Sequence, residues 1–310
     1  MNTPNLFSNS WRLLAVIVLG SLLAACSGGA PETTPAVTTP SGETTEATVP
    51  LPTDTPIPPT ATPEPLAASV NGEGIPLAVY EAELARFQAA YTDQEMGAAE
   101  HQQVLDSLID TVLLAQAAQE NGFELSEAGL DERLNRLIEQ SGGQESFQNW
   151  LNNNGYDQDS FRQALALNAA AAWYRDQLMA AVPSTAEQVH ARQIFLYNSE
   201  DAKNVLERLN AGTNFVTIAT ETDPVAAGEL GWFPRGYLLE PEIEAAAFSL
   251  QPGEYSDVIE TRLGFHIIQV IERQADRPLD PDARRALQRK AVMDWLQAQR
   301  ESSTIEIFIE

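Results

Sequence analysis

The stretch from Gly228-Glu229-Leu230-Gly231-Trp232-Phe233 to Gly264-Phe265-His266-Ile267-Ile268 limits the possible folds more than any other part of this 310-residue chain. A small-residue turn there leads into an apolar strand, and a single histidine sits within a run of β-formers. Between the two lie Arg235-Gly236, Ile243-Glu244-Ala245-Ala246-Ala247-Phe248, Leu250-Gln251-Pro252-Gly253-Glu254 and Thr261-Arg262-Leu263. The whole reads as one compact unit.

Five motifs in this order and at this spacing resemble the parvulin family of peptidyl-prolyl isomerases, over about Thr185 to Arg273. The resemblance implies a parvulin (FKBP-like α/β) domain over 185–274. Rotation about an X–Pro bond needs no nucleophile, metal or cofactor, and its barrier of ~18–20 kcal/mol comes from amide resonance. A site that lowers it holds the proline ring in an apolar pocket with a few placed polar groups.

The family's inner polar group includes two histidines and an Asp or Cys. By resemblance His266 matches the second histidine, Asp223 in Thr222-Asp223-Pro224 matches the acid or thiol, and Gln193 falls where the first histidine stands. His190 lies three residues before Gln193, an odd offset that points it to the opposite face of a strand. The proline pocket implied is Leu230, Leu238 or Leu239, Ile243 and Phe248, with Thr261 among the substrate-binding residues. Ile243 replaces the usual Phe, Leu263 occupies a position often small or polar, and the loop from Asp223 to Gly228 is short. Each position also has a plainer reading. His266 could be a hydrogen-bonded core histidine, Asp223 a turn residue before Pro224, and Gln193 an amide bonding where imidazole would.

Upstream, Arg12 precedes the apolar run Leu13–Leu23, which is short for a bilayer span but suits the core of a secretory signal. The run ends in Leu23-Ala24-Ala25-Cys26, which resembles a bacterial lipobox and implies a signal over 1–25 with lipid on Cys26. A short membrane anchor with an incidental cysteine is the alternative. Cys26 is the one cysteine of the chain, so no intramolecular disulfide or thiolate cluster can form. Residues 26–65, rich in Pro, Thr, Ala, Glu and Gly, cannot offset chain entropy by burial and are expected to form a disordered tether. At ~3.1 Å per residue it would reach on the order of 100 Å.

A helical domain is expected over 66–184. It opens with a strand, Ala67–Gly72, and Pro76 at a first helical position. Helical spacing of Tyr80, Leu84 and Phe87 predicts a helix over about 77–91. A long helix carries Val104, Leu105, Leu108, Ile109, Val112 and Leu113 and ends at Asn121-Gly122. Ser126 caps a third helix with Leu130, Leu134, Leu137 and Ile138 on one face. A fourth runs through Phe147, Trp150 and Leu151 to Asn154-Gly155, and a fifth starts near Asp157. This order resembles the N-terminal chaperone domain of SurA- and PrsA-type foldases, with Val70-Asn71-Gly72 its most distinctive piece. Residues 275–310 supply an amphipathic helix from Asp280 and an alternating strand, Thr304–Ile309. In such relatives they return to the helical domain, which makes the fold class α+β with the parvulin part inserted. An independent tail is the alternative.

With 18 Lys and Arg against 44 Asp and Glu, the net charge of −26 disfavours nucleic acid and anionic lipid as partners. Three histidines, at 101, 190 and 266, have no metal-site spacing, and no phosphate loop or serine elbow is present. No cofactor or metal is expected. Two functions remain: a lipid-anchored, extracytoplasmic prolyl isomerase that also chaperones unfolded exported proteins, or a weak or inactive chaperone of the same architecture. In both, the long apolar stripes of the helical part are expected to line a client groove.

Overall fold

The computed structural model describes residues 64–90 and 96–309. Cys26, the signal segment and the tether up to residue 63 lie outside the described residues. No described helix is long and apolar enough to cross a membrane.

The first element is a hairpin, β1 (Leu66–Val70) and β2 (Glu73–Pro76), turned by Asn71 and Gly72. Both turn residues have positive φ, 52° and 87°, as a two-residue Asn-Gly hairpin turn requires. The expected strand over 67–72 is therefore displaced by this turn. Pro76 ends β2, paired with Leu66, and does not open a helix. An edge position in a sheet suits proline as well as a helix start does, since neither needs its N–H.

Helices α1 (Leu77–Ala90), α2 (Ala98–Glu120), α3 (Glu127–Gln140), α4 (Gln144–Asn153) and α5 (Gln158–Ala180) follow. Their ends carry the expected signals. Ser126 Oγ accepts from Gly129 N, Asp157 caps α5, and Gly122 and Gly155 take positive φ after α2 and α4. The stripe of α2 is buried against β1, β2 and α1, with Val104, Leu105, Ile109, Val112 and Leu113 packed on Ala67, Val70, Ile75 and Tyr80. The α2 stripe therefore forms core and lines no client groove, whereas Leu134 and Ile138 of the α3 stripe line a hollow with Phe147, Leu151 and Phe161. An amphipathic helix buries its apolar face where it can, because that burial is its main source of stability.

The chain then leaves this body for a four-stranded antiparallel sheet. β3 (Thr185–Leu196) is followed by α6 (Ser199–Asn210), α7 (Phe215–Thr222), β4 (Glu229–Pro234), α8 (Pro241–Ser249), β5 (Ile259–Thr261) and β6 (Gly264–Pro278). The strand order is β4-β3-β6-β5. One face packs Val189, Ala191, Ile268 and Val270 against Ile243, Ala247 and Phe248 of α8. The other packs Ile194 and Ile267 against α6 and α7. Because both faces are covered, neighbouring residues of β6 such as Ile267 and Ile268 are both apolar and face opposite layers.

The chain returns by α9 (Pro281–Ser302), capped by Asp280, and β7 (Ile305–Ile307). β7 pairs antiparallel with β1, so the two ends of the folded region share a three-stranded sheet, β2-β1-β7. Asn71 joins them. Its N–H donates to Thr304 O at 2.8 Å, its Oδ1 accepts from Thr304 N, and its Nδ2 donates to Gln116 and Ser303. Arg300 adds charged bonds from α9 to Asp106 and Asp110 of α2. The helical part is thus built from both sides of an inserted α/β unit.

Candidate active site

Gln193 and His266 come from strands 73 residues apart, and register alone brings them together. Phe195 pairs with His266 and Gln193 with Ile268, so all four share the face of the sheet that α8 covers. His266 Nδ1 lies 2.9 Å from Gln193 Oε1, and its Nε2 lies 3.1 Å from Thr261 Oγ1. With Gln193 presenting its oxygen, the neutral ring donates from Nδ1 and accepts at Nε2 from the Thr261 hydroxyl. Phe195 leans on the ring at 4.9 Å between centroids. His266 is only 4% exposed, and burial holds its pKa below the ordinary 6.5, partly offset by the Glu240 carboxylate. The site therefore holds an uncharged imidazole at neutral pH.

Gly264 makes the approach possible. Its φ is 147°, and a Cβ there would stand 2.6 Å from Leu196 O and 2.8 Å from the Phe195 ring. Any side chain would push β6 away from β3 at the residue pair before His266.

Asp223 does not join this network. It ends α7, and its carboxylate accepts from the N–H groups of Val225, Ala226 and Gly228, bonds that hold its pKa down. The short loop so formed lies against β3. Gln193 N donates to Gly228 O at 2.8 Å, and a Cβ on Gly228 would fall 1.8 Å from Gln193 O. Asp223 therefore shapes the loop behind Gln193, and an acid before Pro224 does what its turn chemistry suggests.

Of the expected pocket residues, Leu230, Leu238 and Ile243 pack on one cluster beside the polar trio. Leu239 does not belong there: it is 90% exposed. Leu238 and Leu239 are neighbours on an irregular loop, where only one can turn inward, and no periodicity told them apart. Phe248 is buried behind the pocket, with Phe233 edge-on to its ring and the Arg235 guanidinium 4.0 Å above it. Leu263 stands exposed at the tip of the β5–β6 hairpin. His190 lies on the opposite face from Gln193, stacked on Trp232 and bonded to Glu229.

Sequence reasoning missed the carboxylate of Glu244. It accepts from three successive backbone N–H groups, Gly236 at 2.7 Å, Tyr237 at 3.1 Å and Leu238 at 3.3 Å, and so fixes the loop that carries Leu238. An acid in the first turn of a helix, just after a glycine loop, was the available signal.

Comparison with known proteins bears on this arrangement. Residues 178–272 match the PPIC-type PPIase domain, and residues 58–172 match the SurA-like N-terminal domain. The chain joins a PPIC-type PPIase domain to a SurA-like N-terminal domain. The chain is 40% identical over 92 residues to the foldase protein PrsA of Halalkalibacterium halodurans, covering 28% of this chain and 27% of that protein. PrsA of Caldanaerobacter subterraneus is 28% identical over 181 residues, 54% of this chain and 55% of that one. The chaperone SurA of Dechloromonas aromatica is 33% identical over 146 residues, 40% of this chain and 33% of that one. The chain thus spans from about a quarter to somewhat over half the length of these relatives. The described residues have the α+β composition expected of a SurA-N-like domain joined to a PPIC-type domain.

Proposed function

We propose that this protein is a foldase: a prolyl cis–trans isomerase with chaperone activity toward unfolded exported proteins. The observation that carries the reading is the chain Gln193–His266–Thr261 at the edge of the apolar cluster of Leu230, Leu238 and Ile243. A proline ring fits the cluster by burial of its methylenes. The planar amide must then lose conjugation, and its carbonyl must leave water. An uncharged imidazole held between an acceptor and a hydroxyl gives that carbonyl a preorganised polar neighbour in a dry setting. In this reading His266 and Gln193 are the polar residues of the site, Thr261 orients His266, and Asp223 acts through the loop that backs Gln193.

The second reading, a chaperone of the same architecture with weak or no catalysis, is favoured by one observation: Gln193 stands where the family carries a histidine. An amide has neither the basicity nor the reach of a second ring. NMR exchange between cis and trans forms of X–Pro peptides, with the full chain present, separates the two. Acceleration over the uncatalysed rate supports the isomerase; exchange at the uncatalysed rate, with the peptide bound, supports the chaperone alone.

Location belongs to the same proposal. The relatives named as foldase and chaperone are consistent with an extracytoplasmic protein, and the Leu23-Ala24-Ala25-Cys26 motif adds a lipid anchor at Cys26 with the Pro/Thr-rich stretch as its tether. Cys26→Ser should release the protein from membranes or block its processing. Unchanged membrane retention with normal maturation would sink the anchor.

A further inference from the structure

β5 and β6 are joined by the two-residue turn Arg262-Leu263, so Arg262 follows Thr261, the partner of His266. Arg262 Nε donates to Glu240 Oε1 at 3.1 Å. Glu240 caps α8, two residues after Leu238 of the pocket. The ion pair therefore bridges the two walls of the candidate site, the hairpin on one side and the start of α8 on the other.

The partners are unequal. The side chain of Glu240 is 11% exposed and that of Arg262 is 76% exposed. A carboxylate so enclosed needs its counter-charge, because an unpaired buried charge is costly. Arg262 is under no such demand. The bond engages only Nε, and among the described residues its two terminal nitrogens have no bonded acceptor. Those two N–H groups form the fork that matches a carboxylate. Glu240 thus fixes the stem of the guanidinium and leaves its working end in solvent, one residue from Thr261 and close to the loop that carries Leu238.

We propose that Arg262 is a specificity residue, held by Glu240 so as to take the carboxylate of an aspartate or glutamate that flanks the client proline. The inference rests on the prolyl-peptide reading of the site. The net charge of −26 acts against it only at long range, since fields beyond ~8 Å are largely screened at physiological ionic strength. Contact at Arg262 is local. A basic flanking side chain meets the exposed cation first and can reach Glu240 only by breaking the existing pair.

The test uses the full chain and peptides with Glu, Ala or Lys placed before or after the proline. Affinity is read by calorimetry and isomerisation by NMR exchange, in about 0.15 M and about 1 M salt. The Glu peptide should be favoured over Ala by about two- to fivefold in affinity, the range of a solvent-exposed ion pair, from one side of the proline. The preference should vanish in 1 M salt and in Arg262→Gln, and Arg262→Glu should turn it toward Lys. Equal affinity for Glu and Ala peptides, a preference for Lys, or a Glu preference that survives Arg262→Gln overturns the proposal. Glu-peptide binding without accelerated exchange would reject the isomerase and keep the specificity. Acceleration without a Glu preference would do the reverse.

Discussion

Nδ1 of His266 lies 2.9 Å from Oε1 of Gln193, and that bond sets the protonation pattern of the whole site. Because the amide oxygen accepts at Nδ1, Nε2 is left to accept from Thr261. Gln193→His should keep the strand pairing and place a second ring beside His266. X–Pro exchange should then rise by about fivefold, the worth of one well-placed hydrogen bond near 1 kcal/mol. His266→Ala should lower it. Exchange rates with circular dichroism as the folding control decide this; full activity in His266→Ala would shift the effect to the apolar walls.

The pH dependence has a definite sign. Burial depresses the pKa of His266 in the fold, so between the folded value and the ordinary 6.5 the unfolded chain binds more protons. Its contribution to stability is complete above about pH 6.5 and is lost as pH falls through the folded pKa. Protonation also turns Nε2 into a donor facing Thr261. Imidazole NMR should show His266 titrating below a model histidine, and Thr261→Val, which removes a hydrogen bond to the neutral ring, should move that pKa up toward the model value. An ordinary or raised pKa would contradict the enclosed neutral ring.

Gly228 should tolerate substitution less well than Asp223. A Cβ at Gly228 would stand 1.8 Å from Gln193 O, at a residue with φ of 71°. Gly228→Ala must therefore move the loop or β3, at a cost of several kcal/mol. Asp223→Ala removes three hydrogen bonds to loop N–H groups, two of them exposed, and should lower the melting temperature less. Thermal melts of both variants test the order; the reverse order would mean that the carboxylate, and not the close approach, holds the loop.

What the sequence disclosed about this protein follows from the range of each signal. Helix stripes, caps and the Asn71-Gly72 turn are local, and most stood where spacing put them, as with Ser126, Asp157 and the α2 stripe. Pro76 was misplaced because a strand edge and a helix start make the same demand of proline. Gln193 and His266 were visible only through resemblance to a family, and their bond depends on a register set by two long strands. Leu238 and Leu239 could not be separated, since a loop has no period. Glu240–Arg262 left no pattern at all, and the grip of Glu244 on three N–H groups left only the weak signal of an acid in a first helical turn. Acids are common in this chain, and nothing in one dimension distinguishes an enclosed one.

The insertion itself can be tested by removal. Thr185 pairs with Pro278 and Leu279 N donates to Ser184 O at 2.9 Å, so the α/β unit leaves and re-enters the helical body at one place. Residues facing each other across an antiparallel pair are ~5 Å apart, a gap that a two-glycine link spans. Replacing 186–277 by such a link leaves the pairing of β7 with β1, the Asn71–Thr304 bonds and the Arg300 bonds to Asp106 and Asp110 untouched. It also uncovers part of α9, where Leu287 and Lys290 lie against Gly236. The shortened chain should fold with somewhat lower stability and keep most of the protection against aggregation of a model client. The core has consumed the α2 stripe, and the helical part keeps two hollows, one of about 410 Å³ lined by Tyr80, His101, Leu105, Ile307 and Ile309 and one of about 200 Å³ lined by Leu134, Ile138, Phe147, Leu151 and Phe161. Light scattering of a denatured client, with circular dichroism of the shortened chain, gives the answer. A folded chain without protection, beside a protective PPIC-type domain, would move the chaperone surface to the inserted unit.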